Sequence, residues 1–264
     1  MDVQGLRCLV TGTASGIGDA VVRRLTAGGA EVVSLDRNKP TADVAQHVEV
    51  DLADPASIDA ALAQIDGEFD VLANVAGIPG TLPGELVFKV NFLGMRHLVE
   101  SIFTRLRTGG SIVIVSSTAG FQWPERVDLL KDLLGAETFE DGVKWFAEHA
   151  PSGNAYNFSK EAATFYTLAM GGAVRDINEL RINAVLPGPV ETPILADFEQ
   201  SMGKDTLDGV KAFLGRHATV DDIAPAIVFL ASRDSRWING TSIIADGGIS
   251  GALLTGLVPP PDDF

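Results

Sequence analysis

Tyr156 and Lys160 stand four residues apart in a stretch, Asn154 to Ile177, whose pattern is helical. That spacing puts both side chains on one helix face. A free phenol has a pKa of about 10 and is a poor base at neutral pH, but a nearby positive charge favours the phenolate. A positioned phenolate could take the hydroxyl proton of an alcohol whose carbon is losing hydride. Taken alone, a Tyr and a Lys at this spacing usually form no more than a surface pair. The rest of the chain gives them weight.

Thr11-Gly12-Thr13-Ala14-Ser15-Gly16-Ile17-Gly18 follows a short apolar run and opens a helical pattern from Gly16 to Ala27. Gly12 suits a tight turn, Gly16 a close backbone approach to a pyrophosphate, and Gly18 close packing of helix on sheet. The free N–H groups of a helix N-terminus, with its dipole, suit phosphate. A Gly-rich turn alone is weak evidence, but this one sits between a strand and a helix, as a dinucleotide cradle requires. Asp36 ends the next strand, Ala30 to Asp36. A carboxylate there can accept both ribose hydroxyls and repels a 2′-phosphate, which favours NAD over NADP. Arg37 beside it is a mild counter-signal.

These residues need a frame. Strand patterns at Leu6–Thr11, Ala30–Asp36, His47–Val50, Phe69–Asn74, Ser111–Val115, Arg181–Leu186 and Ser242–Ala245 alternate with helical patterns. The helices include one from about Pro55, one from Leu86 to Arg107, Asn154 to Ile177, and Asp221 to Ser232 with Thr219 as its cap. Such alternation predicts an α/β fold, a doubly wound parallel (Rossmann) sheet with helices on both faces. No linker divides the chain, so residues 1–264 are read as a single domain. Residues 122–152 are too long for an ordinary connection. Leu129, Leu130, Leu133 and Leu134 repeat there at helical spacing, so an inserted helical hairpin on the surface is expected. The Pro-rich end, 259–264, reads as an irregular tail.

The formal charge of −15 makes nucleic acid and anionic lipid poor partners. Hydrophobic residues make up 46% of the chain, enough for a folded core and against disorder. Cys8, the single cysteine, sits in an apolar run and reads as a small core residue. No Cys/His cluster suggests a metal, and no apolar run approaches the ~18 residues of a membrane span. Met1-Asp2-Val3-Gln4 carries no secretory pattern, so a cytoplasmic protein is expected.

The spacing Gly12-x-x-x-Gly16-x-Gly18 resembles the short-chain dehydrogenase/reductase family. Further motifs match in family order: Asn74-Val75-Ala76-Gly77, Asn91, Ser116-Ser117, Tyr156-Asn157-Phe158-Ser159-Lys160, Pro187-Gly188-Pro189-Val190-Glu191-Thr192 and Asp246-Gly247-Gly248. The resemblance covers nearly the whole chain. Within the family it is most similar to bacterial coniferyl-alcohol dehydrogenases and 3α-hydroxysteroid dehydrogenase/carbonyl reductases. The cues are Ile78-Pro79-Gly80, the insertion from Trp123-Pro124, and Ser235 to Gly240.

The resemblance implies that Asn91, Ser117, Tyr156 and Lys160 are catalytic. Ser117 would hold the substrate oxygen, Lys160 the nicotinamide ribose, and Asn91 a water passing protons from Lys160. It implies a cofactor site of Gly12, Ser15, Gly16, Ile17, Gly18, Asp36, Asp51, Leu52, Asn74, Ala76, Gly77, Tyr156, Lys160, Pro187, Gly188, Val190 and Thr192. Asp51-Leu52 would meet adenine, and Thr192 the carboxamide. Two departures alter the substrate walls: the insertion, and a shortened stretch from Asn74 to Asn91 from which a helix is missing.

Three segments can reach the point between Ser117 and Tyr156. They are Ile78 to Leu82, then Phe121 and Trp123, and then Ile194, Leu195, Phe198 and Met202, whose helical spacing gives an apolar face that either packs into the core or, as the family resemblance implies, lines a lid. None carries a basic residue. The expected partner is therefore a bulky neutral alcohol or carbonyl: an aryl-allylic alcohol first, a steroid or other alicyclic alcohol second. Two other readings remain open, a nucleotide sensor without turnover and an NADP-linked carbonyl reductase. A homodimer is expected, since members of this family commonly pair through the long helices and the insertion would block one such surface.

Overall fold

The computed structural model of the chain describes residues 1–202 and 204–258; the side chains at 198, 199, 201, 202 and 206 lie outside that description. Seven strands form one parallel sheet: β1 (Arg7–Thr11), β2 (Glu31–Asp36), β3 (Gln46–Glu49), β4 (Phe69–Asn74), β5 (Leu106–Val115), β6 (Arg181–Pro187) and β7 (Thr241–Ala245). The order across the sheet is β3-β2-β1-β4-β5-β6-β7. The helices are α1 (Gly16–Ala27), α2 (Pro55–Leu62), α3 (Gly84–Phe88), α4 (Met95–Ile102), α5 (Val127–Leu134), α6 (Phe139–His149), α7 (Ala155–Asp176), α8 (Leu195–Met202), α9 (Lys204–Leu214), α10 (Val220–Ala231) and α11 (Ile249–Leu254). A π-helical turn, Lys89–Gly94, joins α3 to α4. The expected α/β doubly wound arrangement is what forms. Among the described residues, no helix is long and apolar enough to cross a membrane.

Side chains alternate across a strand, so each strand feeds two cores. Cys8 and Val10 pack with α1 and α10 on one face, and Leu9 packs with α2, α4 and α7 on the other. Cys8 is the core residue its sequence context suggests, and burial pushes its thiol up to about 12. The chain leaves β1 toward β2 and β3 on one side, and returns at β4 to continue toward β5 on the other. A crevice opens where the order reverses, beyond the carboxyl ends of β1 and β4.

The insertion is two helices, as expected, but it is not only a surface element. Leu130, Leu133, Phe139 and Trp145 join the core against α7. Phe146 stacks on Phe88 at 4.3 Å, and Trp145 stacks on Phe158 at 6.0 Å. Trp145 Nε1 donates to Asp132 Oδ2 at 2.7 Å and ties α6 to α5. Thr138 caps α6 by accepting the Asp141 N–H.

Two boundaries differ from the sequence reading by more than two residues. The helix expected to reach Arg107 ends in a 3-10 turn at Arg105, and β5 begins at Leu106. Leu106 is buried in the core, and the Arg107 guanidinium bonds Asp70 of β4 at 2.8 Å, so the strand pairing takes both residues. The register shift between Phe69 and Val71 absorbs Gly109 and Gly110. Residues 75–83 form an irregular connection without a helix, in line with the shortened stretch. The tail from Pro259 to Phe264 lies outside the described residues.

Candidate active site

The turn after β1 is shaped by what it must clear. Gly12 has φ of +73°, and a Cβ there would stand 2.8 Å from the backbone of Ala76. A Cβ on Gly18 would stand 1.9 Å from the Gly12 carbonyl oxygen. The two glycines let the turn, the start of α1 and the end of β4 converge with backbone facing the crevice. Asp36 is aimed into the same space. Its Oδ2 accepts the Ala14 N–H at 3.0 Å and its Oδ1 the Asn38 N–H at 2.9 Å.

These features lie at one end of a cleft of about 360 Å³. Gly12, Ser15, Gly16, Ile17, Gly18, Asp36, Asp51 and Leu52 line that end. Ala76, Gly77, Pro187, Gly188, Val190 and Thr192 continue the lining toward Ser117, Tyr156 and Lys160. The cradle therefore has the room, the bare backbone and the oriented carboxylate that a dinucleotide requires.

Two expected site residues stand behind the cleft. Asn74 is buried; its Oδ1 accepts from Thr11 Oγ1 at 2.9 Å and its Nδ2 donates to the Met95 carbonyl at 3.3 Å. Thr11 Oγ1 accepts the N–H groups of Val75 and Ala76, both at 3.0 Å. Asn74 thus braces the turn that carries Ala76 and Gly77, and does not line the cavity itself. Asn91 sits in the π-helical turn, a geometry frequent at functional sites. Its Oδ1 accepts the Ile78 N–H at 2.8 Å, and its Nδ2 donates to the Ile78 carbonyl at 3.0 Å and to Ser159 Oγ at 3.3 Å. These bonds tie the loop after β4 to α7.

The reacting end is built by two caps. Asn154 accepts the Tyr156 N–H and places Tyr156 in the first turn of α7. Ser117 ends the run from β5, accepts the Ala119 N–H at 3.1 Å and hydrogen-bonds the Tyr156 phenol. Lys160 Nζ donates to the Val115 carbonyl at 3.0 Å and lies 5.6 Å from the centre of the Tyr156 ring.

Burial dominates the electrostatics here. It pushes the phenol of Tyr156 up to about 12, with the Ser117 hydrogen bond opposing, and pulls Lys160 down to about 8. The sequence reading had the Lys160 charge lowering the phenol. In the protein alone that field does not prevail, because burial of the phenol itself dominates.

Ile78, Leu82, Leu86, Val90, Ile194 and Leu207 give an apolar wall, with Ser116 and Thr118 also lining the cleft beside Ser117. Ile78, Leu82 and Ile194 were expected. Leu86 and Val90 were missed, although their spacing of four, from α3 into the π-helical turn, was visible; Leu207 comes from α9, which no motif marks. Phe121, Trp123 and Leu195 are not on the cleft. Trp123 packs against Phe165 of α7 at 5.9 Å, so the insertion turns away from the substrate point. Phe198 and Met202, expected on the lid, lie outside the described side chains.

The chain matches the short chain dehydrogenase model over residues 7–127 and the Enoyl-(Acyl carrier protein) reductase model over 146–250. It is 37% identical to the coniferyl-alcohol dehydrogenase of Pseudomonas sp. (strain HR199 / DSM 7063) across 96% of this chain and 100% of that protein. The chain belongs to the short-chain dehydrogenase/reductase family. As a short-chain dehydrogenase/reductase it is an oxidoreductase. The 3-alpha-hydroxysteroid dehydrogenase/carbonyl reductase of Comamonas testosteroni is a family relative at 28% identity, with 93% of this chain and 96% of that protein covered. Among solved structures of the family, the 3-alpha-hydroxysteroid dehydrogenase of Pseudomonas sp. B-0831, complexed with NADH, is similar. Its TM-score is 0.79 at 29% identity, covering 96% of this chain and 99% of that one.

Proposed function

We propose that the protein is an NAD-dependent alcohol dehydrogenase acting on a bulky neutral alcohol, an aryl-allylic alcohol of the coniferyl type. One observation carries the reading. Ser117, Tyr156 and Lys160 meet at one end of a cleft whose other end holds the Gly12 turn and Asp36, and the walls beside the trio are largely apolar. NAD, when bound, supplies the hydride acceptor. Ser117 positions the substrate oxygen, and Tyr156 takes its proton. Lys160 holds the nicotinamide ribose and favours the phenolate once both are in place. Thr192, whose Oγ1 donates to the Val190 carbonyl at 3.3 Å, faces the carboxamide position. Asp51 and Leu52 flank adenine. Asn91 and Asn74 act by holding the loop after β4.

The charged groups lining the cleft are Asp36, Arg37, Asp51 and Lys160. The first three stand at the adenosine end, and Lys160 is assigned to the nicotinamide ribose, which leaves no further lining cation among the described residues to pair with a substrate carboxylate or phosphate. Similarity to the coniferyl-alcohol dehydrogenase supports the aryl-allylic choice. Similarity to the two 3-alpha-hydroxysteroid dehydrogenases supports a second reading, an alicyclic alcohol in the same pocket. The test is reduced-nicotinamide absorbance with NAD and cinnamyl-type alcohols, a 3α-hydroxysteroid and a small hydroxy acid. Preference for the hydroxy acid would overturn the pocket assignment, and absence of turnover with every alcohol would favour a sensor.

The quaternary reading is a cytoplasmic homodimer. The insertion already packs on α7 through Trp123 and α5, so that face is occupied by the chain itself. Light scattering that gives a stable monomer would count against pairing, and a tetramer against this blocking.

A further inference from the structure

Glu161 follows Lys160 on α7, and its carboxylate is wholly buried, at 0% side-chain exposure. Neither the motifs nor the proposed chemistry uses it. Its partner comes from the insertion. Arg126 Nη1 donates to both carboxylate oxygens, at 2.8 and 2.9 Å. Burial pushes the Glu161 carboxyl upward and the Arg126 guanidinium opposes that shift. A buried ion pair is a poor source of stability, since well-packed apolar residues of similar size commonly serve as well or better. Its directional bonds give something an apolar pair cannot: a fixed geometry.

That geometry closes a ring. The chain from Val115 to Arg126 meets one stretch of α7 at four points. Val115 accepts from Lys160 Nζ at 3.0 Å. Ser116 Oγ donates to the Lys160 carbonyl and bonds Thr164 Oγ1, both at 2.8 Å. Gly120 lies so close that a Cβ would stand 2.7 Å from the Lys160 carbonyl carbon and oxygen. Arg126 closes the ring on Glu161. Ser117 lies inside it, with its hydroxyl on the Tyr156 phenol.

We infer that Arg126 and Glu161 are positioning residues: their bond clamps the insertion to α7 and so sets Ser117 against Tyr156 for proton transfer. This rests on the proposed roles of Ser117 and Tyr156. An insertion that does not wall the pocket would thereby still govern the rate.

The test uses the full chain with NAD and the alcohol chosen by the substrate panel, in ordinary form and deuterated at its carbinol carbon. Arg126→Met should lower kcat on the order of tenfold or more, as misplacement of a reacting group does. NADH affinity, read by fluorescence, should be unchanged. The isotope effect on kcat should be at least as large as in the wild type; a smaller one would place the loss outside chemistry and overturn the inference. Arg126→Lys should recover part of kcat. The double variant Arg126→Met/Glu161→Met removes the buried charge and should regain Tm while kcat stays low. Recovery of kcat together with Tm would show that only packing matters and overturn the inference, as would NADH affinity falling in step with kcat. If Arg126→Met does not fold, the lysine and double variants decide. Tyr156→Phe separates the two readings. If it keeps its kcat, the site assignment and the clamp both fail; if it is inactive while the Arg126 variants match the wild type, the clamp alone fails.

Discussion

Thr81 donates its hydroxyl to Asp197 Oδ1 at 2.9 Å, joining the loop after β4 to α8 across 116 residues of chain. Leu82 on one side and Ile194 on the other both line the cleft. The bond therefore spans the two walls of the substrate mouth.

Thr81→Val should loosen that mouth. A hydrogen bond of this kind contributes about 0.5–1.5 kcal/mol, so kcat/KM for the alcohol should fall by up to about tenfold. Thr81 is exposed, so Tm should hardly move. Steady-state kinetics with an unchanged kcat/KM would mean that the bond does not help enclose substrate.

Tyr156→Phe should reduce kcat by about 10²–10⁴, the usual worth of a positioned acid or base. The cradle around Gly12 is untouched, so NADH should still bind. Single-turnover kinetics and a fluorescence titration check the two halves separately.

Lys160→Met should abolish useful turnover yet stabilise the cofactor-free protein at pH 7. Burial lowers Lys160 from 10.5 to about 8, so below pH 8 the fold holds a charged group that the unfolded chain solvates better. The unfolded state binds the extra proton between about 8 and 10.5, so wild-type stability from this group rises with pH through that window. Removing the ammonium gains roughly 3 kcal/mol at pH 7 by that shift, less about 1 for the orphaned Val115 carbonyl. The net gain of about 2 kcal/mol should shrink as pH rises past 8. Thermal scans across pH 6 to 10 measure it.

Asp36→Ala should narrow the preference for NAD over NADP by on the order of tenfold or more, since a like charge beside the 2′-phosphate costs several kcal/mol. Equal kcat/KM with the two cofactors in the wild type would refute the assignment. The variant also frees the Ala14 and Asn38 N–H groups, so some loss of NAD affinity is expected.

What the sequence discloses is local. The Gly12-Gly16-Gly18 turn, the strand before it and the helix after it follow from steric needs that neighbours in the chain state together. The convergence of Ser117, Tyr156 and Lys160 on one cleft was legible because motif and spacing mark them. Asn74 is harder: its residue type suits a ligand contact, and only its bonds to Thr11 and Met95 reveal a brace. Trp123 was expected at the substrate because it follows Ser117 closely, but the chain turns and Phe165 claims its ring. The Arg126–Glu161 pair could not be read at all, since 35 residues separate two ordinary charges.

The cleft's lining runs from Gly12 to Leu207. A chain growing on the ribosome therefore cannot complete it until most of its length has emerged. Until Arg181–Pro187 arrives, β5 is an open edge with Ile112, Val113, Ile114 and Val115 unpaired on one side. Such an edge invites pairing with other chains.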